Sequence, residues 1–322
     1  MAMKALLVGI NDYAIKPLRG CVNDVARMRR LLSGRYGLAE ANMRVLTDGA
    51  ATKQAICDGL DWLAEREAGE REPVRLFHYS GHGVQLADAS GDEEDALDEA
   101  LVPCDFSPDD PASFLTDDDL ATFYAKLGAD AHVLMVMDCC HSGTNQRDLP
   151  SDLLSRSLEL GDADAARLGQ QVLAARARSK QRFSQAVDAR LLELAQRETE
   201  LPSAARLAQL REAILASVRE ELYGRREVPG SLVLLSACQD RQTAADAMLD
   251  GSGYNGALTY YLASALEAAP APLSYTGLID QIATALSNDP VLNRPGYERQ
   301  IPQLECEAER AALLVLGARL SG

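Results

Sequence analysis

Apolar residues run almost unbroken through four short stretches of the first half of the chain: KALLVGI (4–10), MRVLT (43–47), VRLFHYS (74–80) and HVLMVMD (132–138). Such runs predict strands buried on both faces, as in a parallel sheet. Between the first three the spacing turns helical. Val22, Val25, Met28 and Leu32 share one face of residues 22–35, and Ile56, Leu60 and Leu63 share one face of residues 53–66. Strand, helix, strand, helix, strand is the order of an open α/β sheet with right-handed crossovers. Sites in such sheets form beyond the carboxyl ends of the strands. Two polar clusters, HYSGHG (78–83) and DCCHSG (138–143), occupy such ends.

Residues 84–114 break the rhythm. Seven acids and no base lie between Asp88 and Glu99, which predicts a hairpin or an acidic loop, and residues 117–127 look helical. From 150 to 228 the chain is rich in Ala, Leu, Arg, Glu and Gln. It predicts two or three amphipathic helices broken near Gly161 and at Leu201-Pro202. The α/β pattern returns with SLVLLSAC (231–238) as a fifth strand, helices over 255–268 and 274–287, and QIPQLEC (300–306) as a sixth strand. AALLVLG (311–317) fits strand or helix equally. The expected organisation is residues 1–149, a helical insertion over 150–228, and residues 229–322 completing the first segment's domain.

Length and composition fit one large globular domain or two ordinary ones: 322 residues, 47% apolar. A net charge of −16 makes nucleic acid and anionic membrane surfaces poor partners and a cationic ligand a good one. The opening MAMKALLVGINDY reads as a buried strand rather than a secretory signal. No stretch approaches the roughly 18–20 apolar residues of a membrane span. Seven scattered cysteines without a C-x-x-C pair fit reduced thiols and a cytoplasmic location.

Cys139 and Cys140 adjoin, and neighbours rarely meet disulfide geometry. A nucleophilic cysteine needs a base to make its thiolate, and donors for the oxyanion that forms on attack. His82 lies just past the third strand and Cys140 just past the fourth. If those strands are parallel neighbours, the two side chains emerge side by side. Gly83, which follows His82, leaves its N–H open to a substrate, so the N–H groups of Gly83 and Cys140 are the expected oxyanion donors. A zinc site built from His78, His82, Cys139, Cys140 and His141 fits poorly, because three consecutive residues do not readily wrap one tetrahedral ion.

HYSGHG followed by DCCHSG resembles the caspase-like cysteine peptidases, most closely the metacaspases and their bacterial relatives, the orthocaspases. LLVGINDY, LRGCVNDV, DEALVPCD and LLSACQDRQTAADA extend the likeness over residues 4–149 and 230–306. The resemblance implies a three-layer caspase-like sandwich, with a sheet of about six mostly parallel strands whose last is antiparallel. Residues 1–149 correspond to the large-subunit segment and 229–322 to the small one. It assigns His82 as general base, Cys140 as nucleophile and Cys139 as a small packing residue. Asp24, Asp138, Cys21 and Ser80 line a pocket for Arg or Lys. A desolvated carboxylate pair also demands a cation on physical grounds. The alternative is that Asp24 caps a helix and Asp138 bonds the strand end. True caspases carry Gln-Ala-Cys where this chain has Asp-Cys-Cys, which points away from aspartate specificity.

The resemblance also offers Asp98, Asp117, Asp118 and Asp148 as calcium ligands. Their alternative is a solvated acidic surface. No organic cofactor is expected, the substrates are polypeptides with basic residues, and the protein is expected to be a monomer. The insertion carries Arg176, Arg178, Lys180, Arg182, Arg225 and Arg226, the residue types the pocket wants. They are candidate self-cleavage sites; a docking arm is the alternative. Two rivals to an active peptidase are a catalytically idle scaffold and a calcium-responsive interaction protein.

Overall fold

The computed structural model of the chain describes residues 3–87, 97–128, 130–140, 153–158, 162–197, 210–211, 213–215, 217–218, 232–239, 242–251, 253–294 and 300–317. In chain order the strands are β1 (Met3–Gly9), β2 (Met43–Thr47), β3 (Val74–Ser80), β4 (Gly83–Ala87), β5 (Leu97–Leu101), β6 (Leu115–Thr116), β7 (His132–Asp138), β8 (Leu153–Ser155), β9 (Leu232–Ser236), β10 (Ala245–Met248), β11 (Tyr254–Gly256) and β12 (Gln303–Cys306). The main helices are α1 (Cys21–Tyr36), α2 (Lys53–Ala64), α3 (Asp117–Lys126), α4 (Asp162–Arg197), α5 (Ala257–Ala268) and α6 (Tyr275–Asn288).

Six strands form the central sheet in the order β12-β9-β7-β3-β1-β2. The first five in sequence are parallel, and β12 joins β9 antiparallel. All four apolar runs of the first half are therefore strands of one sheet. Every residue of β3 is buried, as is every residue of β7 after His132. That burial is why neither strand alternates. Two smaller sheets, β4-β5-β6 and β11-β10-β8, accompany it.

Local signals set the helix limits. The Thr52 hydroxyl accepts the Ala55 N–H at the start of α2, Thr116 and Asp119 form a capping box on α3, and Ser274 caps α6. Helix α1 ends at Gly37, which takes a left-handed φ of 64°. The ambiguous run 311–317 is neither a strand nor a full helix. It closes in a single 3₁₀ turn, Val315–Gly317, held by the Leu316 N–H donating to the buried Tyr275 hydroxyl.

Contacts divide the chain into two compact units, residues 1–85, 99–159 and 228–322, and residues 86–98 and 160–227. In the second, α4 runs for 36 residues. Residues 153–158, read from sequence as part of the insertion, belong to the first: β8 pairs antiparallel with β10. Among the described residues no helix is long and apolar enough to cross a membrane.

Candidate active site

Parallel pairing of β3 with β7 sets Ser80 opposite Asp138. His82 and Cys140 each lie two residues beyond that pair, so they leave adjacent strands at the same level. Neighbouring strands are about 4.8 Å apart. The site lies at the carboxyl end of the sheet, close to where strand order reverses around β1.

Aromatic hydroxyls hold the His82 backbone. Its N–H donates to the Tyr13 hydroxyl (3.1 Å), and its carbonyl accepts from the Tyr79 hydroxyl (2.9 Å). The Tyr13 and His82 rings lie 4.6 Å apart. A Cβ at Gly81 would fall 2.5 Å from the Tyr13 oxygen and 2.6 Å from that of Tyr79, so only glycine fits there. His82 Nε2 lies 2.7 Å from the Lys16 carbonyl oxygen. A carbonyl only accepts, so Nε2 carries the proton and Nδ1 is the basic nitrogen of the neutral ring. Burial lowers the His82 pKa to about 4, opposed by the backbone of Lys16 and Arg156 and assisted by their charges.

The Cys140 thiol is buried and donates to the Gln242 carbonyl at 2.5 Å. Cys238 Sγ lies 3.4 Å from the same oxygen. Its own pKa is pushed far up, first by a hydrogen bond with Cys140 and then by burial. Cys238 is thus held as a thiol beside Cys140. Cys139 is buried and packs at the strand end, and His78, also buried, shares a 3.0 Å hydrogen bond with the Thr259 hydroxyl. His141 lies outside the described residues.

Beside this pair is a fully buried ionic cluster centred on Arg156. Its Nη2 lies 2.8 Å from Asp24 Oδ2 and 3.2 Å from Asp246 Oδ1; its Nη1 lies 3.2 Å from Asp138 Oδ1. Nη1 also donates to the Ser80 hydroxyl (2.7 Å) and the Asp138 carbonyl (2.9 Å). Three carboxylates thus face one guanidinium. Burial raises the Asp24 pKa to about 7 against the pull of Arg156, and the carboxylates keep Arg156 charged. Cys21, buried against the cluster, is held as a thiol by burial. A Cβ on Gly256 would collide with both Arg156 Nη1 and Asp138 Oδ2, so that wall of the pocket has room for no side chain.

Neither alternative weighed for the aspartates occurs as stated: α1 has no side-chain cap, and the Asp138 carboxylate bonds a helix rather than the strand end. Asp24 accepts the Gly256 N–H (3.0 Å) and Asp138 the Thr259 N–H (2.7 Å), both at the amino end of α5. Partial positive charge there favours carboxylates. Each acid therefore meets both the helix and the Arg156 guanidinium.

The backbone of Arg156 is held as firmly as its side chain. Its carbonyl oxygen accepts the Gly83 N–H at 3.0 Å, and its own N–H donates to the Ala244 carbonyl at 3.1 Å. The structure thus brings His82, Gly83, Cys140, Asp24, Asp138, Cys21 and Ser80 to one place. Asp246 and Arg156 were missed from sequence. Asp246 lies within LLSACQDRQTAADA, which carried the resemblance, but no spacing singles it out. Arg156 is the lone base in LLSRS, where an arginine between small and apolar residues was the only signal.

Asp117 and Asp118 open α3 and Asp98 lies in β5; the side chains of Asp98 and Asp118, and all of Asp148, fall outside the described residues. Among the described residues no group of three or more His, Cys, Asp or Glu is placed to hold a metal. Arg176, Arg178, Lys180 and Arg182 lie within α4, with Arg178, Lys180 and Arg182 exposed. Arg225, Arg226 and the side chain of Arg176 are outside the described residues.

Comparison with known proteins agrees with this geometry. Residues 3–150 match the family model described as metacaspase, peptidase C14 domain. Metacaspase-1B of Aspergillus oryzae is 33% identical over 94% of this chain and 67% of its own length. Metacaspase-1 of Schizosaccharomyces pombe is 30% identical over 94% and 67%. The crystal structure of protein GSU0716 from Geobacter sulfurreducens shares the fold, with a TM-score of 0.57 at 23% identity over 95% of this chain and 93% of that one. The chain belongs to the metacaspases, caspase-like cysteine peptidases that hydrolyse polypeptides.

Proposed function

We propose that this metacaspase is an endopeptidase that cuts after Arg or Lys, with Cys140 as nucleophile and His82 as base. One observation carries the specificity: a guanidinium sits in the pocket, ringed by Asp24, Asp138, Asp246 and Ser80. With all three acids ionised the walls carry charge −3, so an acidic side chain is repelled and a neutral one leaves carboxylates unpaired. Lys meets the charge but not the forked geometry, so Arg is favoured.

The residues divide the chemistry as follows. The Cys140 thiol turns from the Gln242 carbonyl and passes its proton to His82 Nδ1. The thiolate adds to the substrate carbonyl, and the Gly83 and Cys140 N–H groups receive the oxyanion. The amine leaves with the proton from His82, and water then hydrolyses the thioester.

Calcium is part of the same reading. Asp98, Asp117, Asp118 and Asp148 form an oxygen-only donor set, which suits that ion, and they would order the loops that bear them. The monomeric state is likewise our reading. The test is a set of peptides differing only in the cleaved residue, assayed with calcium and with chelator. Arg should be cut fastest, Lys next and Asp not at all, with faster turnover in calcium. Equal turnover of Arg and Asp peptides removes the specificity. Full activity in excess chelator removes the calcium.

A further inference from the structure

Two sulfurs meet at one backbone oxygen. The Gln242 carbonyl oxygen lies 2.5 Å from Cys140 Sγ and 3.4 Å from Cys238 Sγ, and the two thiols share a hydrogen bond. The sheet brings them together. Strands β7 and β9 pair parallel with Met137 opposite Ser236, and the Ala237 N–H donates to the Met137 carbonyl at 3.0 Å. Cys140 and Cys238 therefore leave neighbouring strands three and two residues beyond a matched pair. Neighbouring strands are about 4.8 Å apart, and a disulfide spans Cα atoms roughly 4.4–6.8 Å apart. Both cysteines pack in the core cluster that holds Val136 and Ala237. Cys139 adjoins Cys140 in sequence, where that geometry is rarely met. The oxygen between the two sulfurs is itself fixed: the Gln242 N–H donates to the Gln239 carbonyl at 2.8 Å, and Gln242 Oε1 accepts the Ile301 N–H at 2.9 Å.

We propose that Cys238 is the redox partner of the nucleophile: a peroxide oxidises Cys140, and Cys238 captures it in a reversible disulfide that silences the enzyme and spares it irreversible oxidation. This rests on Cys140 as the nucleophile proposed above and adds a modification site beside it. Susceptibility to peroxide follows thiolate character, and a nucleophilic cysteine works as the thiolate. Without a second thiol, its sulfenic acid goes on to the sulfinic acid, which thiols do not reverse. Cys238 is only partly buried, so the pair borders solvent. The first cause that holds Cys238 as a thiol is its hydrogen bond with Cys140. Oxidation of Cys140 ends that bond and leaves Cys238 able to attack.

Hydrogen peroxide supplies the oxidising equivalents. Cys140 passes its proton to His82 Nδ1, and the thiolate takes one peroxide oxygen as the O–O bond breaks. The product is the Cys140 sulfenic acid, and the departing hydroxide takes the His82 proton to become water. The Cys238 sulfur then attacks the Cys140 sulfur. The S–O bond breaks, and the leaving hydroxide takes the Cys238 proton as a second water. The two cysteines have lost two electrons and the peroxide has gained them. In the disulfide Cys140 has neither a proton to pass nor a thiolate to add to a substrate, so turnover stops. A dithiol restores both thiols, giving up two electrons and two protons and closing into its own disulfide.

The test treats the full chain with hydrogen peroxide, caps the remaining thiols with iodoacetamide and maps the digested peptides by mass. Turnover of an Arg peptide in calcium is read before peroxide, after it and after dithiothreitol, each variant against its own starting rate. Wild type should give a peptide pair joined through Cys140 and Cys238, lose its turnover as the pair forms, and regain it in dithiothreitol. Cys139→Ser should still give the joined pair. Cys238→Ser and Cys238→Ala should give none, and should lose turnover irreversibly as Cys140 reaches the sulfinic acid. An oxidised wild type without the joined pair, or a Cys238→Ser that recovers in dithiothreitol as fully as wild type, overturns this inference and leaves the peptidase standing. The wild-type mass map reads the bond whether or not the variants fold. A wild type that cuts no Arg peptide before peroxide defeats the Arg-directed peptidase, and the joined pair still decides the bond.

Discussion

Among the described residues two arginines are wholly buried, at opposite ends of the same sheet, and they are buried for different reasons. Arg75, in the second position of β3, is met by Glu70, five residues earlier, at 2.8 Å, and donates to the carbonyls of Val74 and Glu65. Arg156 is met by carboxylates 132, 18 and 90 positions away (Asp24, Asp138 and Asp246). The Arg75 pair is electrically neutral and local. The Arg156 cluster carries two more negative charges than positive ones when all three acids are ionised. A neutral pair seals a fold; a site with surplus charge of one sign is built to receive something. Burial by itself, equal in the two, does not tell them apart.

The contrast is open to attack by substitution. Arg75→Met strands the buried Glu70 carboxylate and should cost about 3–5 kcal/mol of stability in urea unfolding. The fraction still folded should cut Arg peptides at the wild-type rate. Asp246→Asn should do the reverse. Losing one charged hydrogen bond to substrate costs about 1.5–3 kcal/mol, on the order of a 10- to 100-fold fall in kcat/KM for an Arg peptide. Its stability should change less than that of Arg75→Met. If Asp246→Asn cuts Arg peptides normally, the third carboxylate belongs to the fold. Ser80→Ala removes one neutral hydroxyl and should lower kcat/KM by about 0.5–1.5 kcal/mol.

Acidity should reveal the smallest difference. Burial lowers the pKa of His78 to about 3 and of His82 and His132 to about 4. Each binds a proton on unfolding once the pH is below about 6.5, the ordinary histidine value. Stability contributed by keeping them neutral is therefore present above pH 6.5 and is lost progressively down to about pH 4. Asp24, raised to about 7, works against this, since it is protonated in the folded state first. Three histidines outweigh one aspartate, so urea midpoints should fall between pH 6.5 and 4.5. A midpoint that rises over that range would mean the carboxylate cluster governs instead.

The fold was legible in the sequence to the extent that burial was uniform. Strands covered on both faces print as unbroken apolar runs, and β1, β3 and β7 were found that way; β2 printed the same run, yet it is the edge strand and only Met43 is buried. His82 and Cys140 were legible because both follow such runs at a short, equal offset, so parallel pairing alone brings them level. Asp24 and Asp138 needed the family resemblance, since an acid in a first helical turn or at a strand end has ordinary reasons to be there. Asp246 and Arg156 were not legible. Each sits in a short strand or its extension with no periodic pattern, and its meaning lies in partners many tens of residues distant. The run 311–317 stayed ambiguous because its conformation is set by Tyr275 on α6 rather than by its own residues.

The spread of the pocket along the chain bears on when the enzyme first becomes dangerous. A ribosome releases residues in order, amino terminus first, and segments fold as they emerge. His82 and Cys140 are made long before Gln242, whose carbonyl holds the Cys140 thiol, and before Asp246 and Gly256, which complete the walls around Arg156. Arg156, which the three carboxylates surround, is also made before the cluster is whole. A half-synthesised chain therefore has His82 and Cys140 but not the later residues that hold the Cys140 thiol and complete the carboxylate cluster, and Arg156 is already in place when Asp246 arrives.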